Sequence, residues 1–315
     1  MPGSNESLAT ATVVPDPTKS WAIYGQLHEG AEAQYYRFDA VEGQRIHVSL
    51  LKSTAPDDEG FLPSFVLMGP KITLRGNVPA YVEVPQGAGS MVVEGKQPTQ
   101  ASYEAFSPSA FYLLAELEVS APSSGSYYVA VYEASRGGHY GLAIGDRESF
   151  TLSEWILSPV SFISIYQWEG QSLPFMFAPA AATLAVGIGL VIFRRRVRES
   201  PKTVFEWSAA LAGLLFLASG FTVLTQMISA LTRAPAGPDI GITLTLALVP
   251  VILGVVTVRL ALRTVGRINV RKRMRLAILG LLALFAWAGF IVGPSLAILA
   301  SVLPYPRSLA AKPKR

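Results

Sequence analysis

The rhythm of hydrophobic and polar positions changes once along the chain, near residue 150. Between residues 21 and 144 short apolar runs alternate with polar residues at period two, separated by clusters of Gly, Pro, Asp and Ser. This is the pattern of strands that bury one face and are joined by turns. Residues 34–40 (QYYRFDA), 45–51 (RIHVSLL), 64–68 (SFVLM), 111–117 (FYLLAEL) and 127–132 (YYVAVY) are the clearest examples. No helical stripe of comparable length competes. Regularly spaced strands without intervening helices predict an all-β sandwich or jelly roll.

After residue 172 alternation gives way to long apolar runs. Residues 173–193, 204–231, 240–262 and 276–303 each reach the ~20 residues needed to cross a bilayer core, so the expected fold is a β-sandwich joined to an α-helical transmembrane bundle of four spans. The second run contains Ser219, Thr222 and Gln226, the third contains Pro250 and Arg259, and the fourth contains Gly280, Gly289, Gly293 and Pro294. Glycines at 213, 220, 280, 289 and 293 would let helices approach closely.

Charge then gives the bundle a direction. Residues 1–172 hold nine Lys and Arg against nineteen Asp and Glu, a net of −10; residues 173–315 hold seventeen against three, a net of +14. The pI near 9.2 thus reflects charge flanking the membrane and gives no support to nucleic-acid binding. Loop one carries Arg194, Arg195, Arg196 and Arg198, and loop three carries Arg271, Lys272, Arg273 and Arg275, whereas loop two offers only Arg233. Because Lys and Arg are retained on the cytoplasmic side, loops one and three are expected inside. With four spans, the sandwich and the C-terminus are then both expected outside the cytoplasm, on a multi-pass protein of the cell membrane. The tail PRSLAAKPKR, with four basic residues, votes against that arrangement. Residues 1–14, MPGSNESLATATVV, show no charged n-region or apolar h-region, so export is expected to depend on a segment upstream or already removed.

The expected organisation is an extension over 1–19, the sandwich over 20–150, an aromatic connector over 151–172, the membrane domain over 173–303 and a basic tail over 304–315. In the connector, Trp155, Phe162, Tyr166 and Trp168 are the residue types that settle at headgroup depth, and a collar of interface anchors is expected there.

Within the β-rich half the motifs fall in a particular order: residues 36–43 (YRFDAVEG), the strand 45–51, residues 63–70 (PSFVLMGP), residues 125–132 (GSYYVAVY) and residues 138–144 (GHYGLAI). This order resembles the pre-peptidase C-terminal domain of bacteria and archaea, whose pattern is a Y-x-F-x-x-x-x-G strand and turn, an L-x-G-P strand end, a G-x-Y-x-x-x-V strand and a G-x-Y-x-L strand. The resemblance covers roughly residues 20–145. The Gly- and Pro-rich stretch 71–110 has no counterpart in it. It implies a secreted, non-catalytic accessory sandwich of the kind attached to other extracytoplasmic domains, with no catalytic residues to carry over.

Candidate chemistry is sparse. The three histidines, His28, His47 and His139, have no metal-ligand spacing, and His47 is expected to face solvent from its strand. Asp57, Asp58 and Glu59 lack the alternating spacing of a calcium loop and read as a solvated acidic turn. No G-x-S-x-G elbow or H-E-x-x-H motif occurs, the helical half holds no histidine, and no phosphate-cradling Gly loop stands in its required context. With no cysteine there is no disulfide, thiolate metal site or cysteine nucleophile. Asn5-Glu-Ser7 matches a glycosylation sequon. Inside the spans Glu206 and Arg259 stand out, because charge in lipid costs several kcal/mol; both fall near the cytoplasmic ends, where they could pair. The expected function is a membrane-anchored extracytoplasmic binding or interaction module without enzymatic activity, needing no cofactor. Its expected partners are the bilayer and a protein or surface polymer. The alternative is a non-catalytic subunit of a larger membrane enzyme or transport complex.

Overall fold

The computed structural model describes residues 5–198, 203–263 and 269–303; the side chain of Arg198 and the basic tail 304–315 lie outside the described residues. Ten strands form two five-stranded sheets. Sheet one places β1 (Thr12–Val13), β3 (Glu32–Ala40), β9 (Gly125–Glu133), β5 (Ser64–Gly69) and β6 (Gly89–Val93) in that spatial order. Sheet two runs β2 (Trp21–Leu27), β10 (Gly138–Ile144), β4 (Arg45–Ser53), β8 (Ser109–Ser120) and β7 (Ser102–Glu104). Every pairing is antiparallel except β1 with β3. All five strands read from periodicity are present, and their alternation fixes what faces inward. On β4, Ile46, Val48 and Leu50 are fully buried and meet Phe38, Leu67, Val129 and Leu142 in one core between the sheets.

Two details go beyond that pattern. Tyr36 on sheet one and Tyr140 on sheet two meet through their hydroxyls at 2.6 Å, and Tyr140 donates onward to Gln34 Oε1 at 2.6 Å. Within the Gly- and Pro-rich stretch 71–110, which also supplies β6 and β7, residues 78–83 fold over the outer face of sheet one. Val78, Tyr81 and Val82 cover Tyr35, Val66, Met68 and Ala130, and the Glu83 N–H donates to the Tyr35 hydroxyl at 2.7 Å. The interior strand β5 is therefore buried on both faces, which is why it is apolar from Phe65 to Met68 rather than alternating.

Six helices follow: α1 (Leu152–Trp168), α2 (Leu173–Arg198), α3 (Val204–Leu231), α4 (Ile240–Leu262), α5 (Val270–Phe285) and α6 (Val292–Val302). Thr151 and Glu154 form a capping box at the start of α1, and Thr203 and Glu206 form one at the start of α3. Three helices, Leu173–Val197 within α2, α3 and α4, are long and apolar enough to cross a membrane. They pack as antiparallel neighbours. Gly187 of α2 lies against Leu214 of α3, and Gly213 and Gly220 of α3 lie against Gly254 and Ala247 of α4. A Cβ on Gly254 would stand 2.8 Å from the Gly213 carbonyl oxygen, so the two backbones are in contact.

The fourth expected span is not one helix. The run 276–303 breaks after Phe285 into α5, a reversal and the antiparallel α6. Gly280 of α5 packs on Ala297 and Ile298 of α6. In the reversal Trp287, Gly289, Phe290 and Ile291 all adopt positive φ. For non-glycine residues this costs ~1–2 kcal/mol each, so surrounding contacts must hold it. Ser219 supplies one, accepting from the Gly289 N–H at 2.8 Å while donating to the Phe216 carbonyl at 2.9 Å. Gly289 and Gly293 rest on Phe216, so the hairpin tip reaches only about halfway along α3, about 20 Å from its start.

This reversal also sets where the described chain ends. Arg273 at the start of α5 donates to the carbonyl of Leu303 at 2.6 Å, so the described chain ends beside Asn269, at the end of the bundle away from the sandwich. The sandwich and Leu303 therefore lie at opposite ends of the bundle.

Substituting Gly254→Leu or Gly213→Leu is expected to cost about 2 kcal/mol or more through forced separation of α3 and α4. Gly189→Leu, where a Cβ meets no atom within 4 Å, should leave stability unchanged. Thermal unfolding of the three variants in detergent checks both.

Candidate functional site at the sandwich and bundle junction

Where α1 ends, the chain turns through Gly170, with φ of 80°, and enters α2. The residue at the turn, Glu169, is 3% exposed. Its Oε1 accepts from the Ala110 N–H at the start of β8 (2.8 Å), and its Oε2 lies 3.3 Å from Arg233 Nη2 and 3.1 Å from Gln171 Nε2. Arg233, just beyond α3, also donates to Thr54 Oγ1 (2.9 Å) in the loop after β4. Gln171 and Gln226 exchange amide hydrogen bonds of 2.9 Å in both directions, and Gln226 is 1% exposed. One carboxylate thus joins a sheet, the connector and two helices. Burial raises the Glu169 carboxyl above its usual value, and the donors from Ala110, Arg233 and Gln171 oppose that rise.

A second tie lies beside it. Thr243 near the start of α4 is fully buried and donates to the Ala105 carbonyl at 2.7 Å, which leaves its lone pairs to accept from the Tyr103 hydroxyl at 2.7 Å. Ala101 and Ala110 of the sandwich pack with Ala234 from the chain after α3, with Tyr103 and Tyr112 at their edge. Burial pushes Tyr24 up to about 12 and raises Glu104 above its usual value.

The four expected interface anchors divide between two roles. Trp168 donates its indole N–H to the Tyr140 carbonyl (3.0 Å), rests on Tyr24 at 5.1 Å and is 6% exposed; Tyr166 is 7% exposed. Both side chains are buried within the protein, Trp168 against the sandwich. Trp155 and Phe162 instead pack on Trp287 of the hairpin, with centroids 4.5 and 5.6 Å apart. Trp155 donates to the Phe285 carbonyl (3.1 Å), and Trp287 donates to the Trp155 carbonyl (2.7 Å). The first turn of α1 is held to the sandwich by Lys19, whose ammonium lies 2.6 Å from Glu154 and, with Thr151, brings that carboxyl down to about 2.

The basic positions gather at the opposite end. Arg194 lines a groove of about 850 Å³ between α2, α3 and α4, Arg195 lies over the Trp207 ring at 5.7 Å, and Arg196 lies in the last turns of α2. Arg271 is exposed, Arg273 binds the end of α6, and Lys272 and Arg275 face a second groove with Arg259 and Arg263. Among the described residues no ion pair joins Glu206 to Arg259. Glu206 is buried and accepts from the Thr203 N–H at 3.0 Å, whereas Arg259 is exposed.

The histidines are dispersed over separate carboxylates. His28 pairs with Glu32, His47 with Glu116 at 2.8 Å across β4 and β8, and His139 with Asp58 at 3.1 Å. His47 is largely covered, not solvent-facing, and Asp58 is 1% exposed rather than part of a solvated turn. Among the described residues no three His, Cys, Asp or Glu side chains gather in a way that could hold a metal ion. The Asp58 hydrogen bond raises the half-buried His139 above its usual value. No protein-family model matches the chain, and no curated protein matches it.

The Glu169 and Arg233 junction was missed in the sequence, yet each residue carried a signal. Glu169 is the last acid before α2, and Arg233 is the lone cation of loop two.

Two outcomes follow from these contacts. Arg233→Met should cost about 2–3 kcal/mol by leaving the Glu169 carboxylate buried with one donor fewer, whereas Arg233→Met with Glu169→Leu should cost less than that single change; chemical unfolding of both variants measures the difference. For His139, a raised folded value means its stabilisation is fully present below the unfolded value near 6.5 and is lost as pH rises through the folded value. The sandwich should therefore melt higher at mildly acid than at mildly alkaline pH through this contact, and that difference should shrink in His139→Gln.

Proposed function

We propose that the chain is a membrane-anchored binding or interaction module whose sandwich stands outside the cytoplasm on a three-span helical base. In this reading α2, α3 and α4 cross the bilayer, and α5 and α6 form a re-entrant hairpin that enters from the cytoplasmic face and turns back. The observation that carries it is the segregation of charge along the bundle. Arg194, Arg195, Arg196 and the cations of α5 lie at the end away from the acidic sandwich, and the cation on the sandwich side, Arg233, is held by Glu169. Cytoplasmic retention of basic segments then orients the whole. The hairpin supports the same direction, since it brings Leu303, the last described residue, to the basic end, and in this reading the four basic residues that follow no longer count against the loops.

The motif order resembling the pre-peptidase C-terminal domain supports an accessory, recognition role for the sandwich, toward a protein or surface polymer. The buried junction supports a rigid mount. With Glu169, Trp168 and Thr243 all desolvated between the two halves, a ligand on the sandwich would act on the helices without a slack tether.

Protease added to intact cells should remove the sandwich while a C-terminal tag stays protected until the membrane is permeabilised. A protected sandwich would overturn the orientation, and an accessible tag would overturn the re-entrant hairpin. Purification in mild detergent separates a module that stays alone and binds its ligand through the sandwich from a subunit that brings fixed partners.

A further inference from the structure

Between the last turns of α4 and the first turns of α5 lies a groove of about 490 Å³. Arg259 and Arg263 reach it from α4, and Lys272 and Arg275 reach it from α5. No acid lines it. The helical half contains only three acids: Glu199 lies outside the described residues, Asp239 stands at the far end of α4, and Glu206 closes the cap of α3. Four cations converging on one cleft repel one another, and an anion placed among them turns that repulsion into charge-assisted hydrogen bonds.

The floor of the groove is apolar, formed by Val256, Leu260, Ile278 and Leu279, and Val256 and Ile278 are 44% and 48% exposed. A soluble phosphate has no use for such a floor. A molecule that carries its phosphate on a hydrocarbon chain uses both parts at once. The larger groove between α2, α3 and α4 is the internal contrast, being apolar along its length with Arg194 as its one cation.

We propose that the cleft between α4 and α5 is a binding site for an anionic glycerophospholipid, its headgroup phosphate held by Arg259, Arg263, Lys272 and Arg275 and an acyl chain laid along the apolar floor. The inference rests on the reading of α2 to α4 as membrane spans, since it needs the basic end of the bundle at the bilayer surface.

The test uses the purified full chain in neutral detergent, followed by thermal unfolding during titration with phosphatidylglycerol, phosphatidylcholine or glycerol 3-phosphate. Phosphatidylglycerol should raise the midpoint, with apparent affinity about tenfold above that of phosphatidylcholine, and glycerol 3-phosphate should give no shift. Arg263→Gln with Lys272→Gln should abolish the preference, while Arg194→Gln with Arg195→Gln should keep it. Should the first pair fail to fold, Val256→Trp with Ile278→Trp fills the floor, leaves the charges in place and must also abolish the preference. Equal affinity for the two lipids, an equal loss in the Arg194 and Arg195 variant, a shift with glycerol 3-phosphate, or a preference surviving the tryptophan pair would each overturn the proposal. Equal stabilisation by both lipids would sink the headgroup site and leave the membrane reading standing; no effect of any lipid would sink both.

Discussion

A single buried carboxylate sets the relation between the two halves of this protein. Glu169 ends α1, faces the first residues of β8 and receives Arg233 from beyond α3. Removing a carboxylate from water costs several kcal/mol, which only well-placed donors offset, so the Ala110 N–H, the guanidinium and the Gln171 amide are all required where they stand. Those three donors come from a strand, a helix end and a turn far apart in sequence. Satisfying one group therefore fixes the sandwich on the bundle, and the paired amides of Gln171 and Gln226 extend the same tie into α3.

The bundle obeys a second constraint of the same kind, that backbone groups within an apolar layer need partners inside the protein. In α3 and α4 the helices provide them, and glycines at 213, 220 and 254 let the two backbones touch. The reversal between α5 and α6 does not have that solution. Ser219 meets the Gly289 N–H, Trp155 and Trp287 exchange indole donors with main-chain carbonyls, and buried Ala288 lies at the centre of the turn. The aromatic face of α1 thus covers the hairpin, and this connects the sandwich side of the chain to its last two helices.

Much of this architecture was legible in the chain. Period-two alternation located the strands because each buries one face, and three of the apolar runs are single long helices that continue through Pro179 in α2 and Pro250 in α4. The fourth run matched the others in length and apolarity, and those are what a window of hydropathy measures. Its Gly289, Gly293 and Pro294 weaken a helix without saying whether the chain bends or reverses. That choice was made by Ser219, Phe216 and Trp155, residues 70 to 134 positions earlier than Gly289 that the fold brings to the turn. The end of the bundle at which Leu303 lies followed from that one reversal.

The sequence by itself determined two halves of opposite charge, one of strands and one of apolar helices, because periodicity, hydropathy and charge are sums over neighbouring residues. Only the tertiary structure decided the desolvated pairing of Glu169 with Arg233, the burial of Tyr166 and Trp168 within the protein, and the meeting of Arg259 and Arg263 with Lys272 and Arg275 across one groove. These depend on distances between segments remote in sequence, and an isolated carboxylate, indole or guanidinium reads the same along the chain whether it ends in water or in contact.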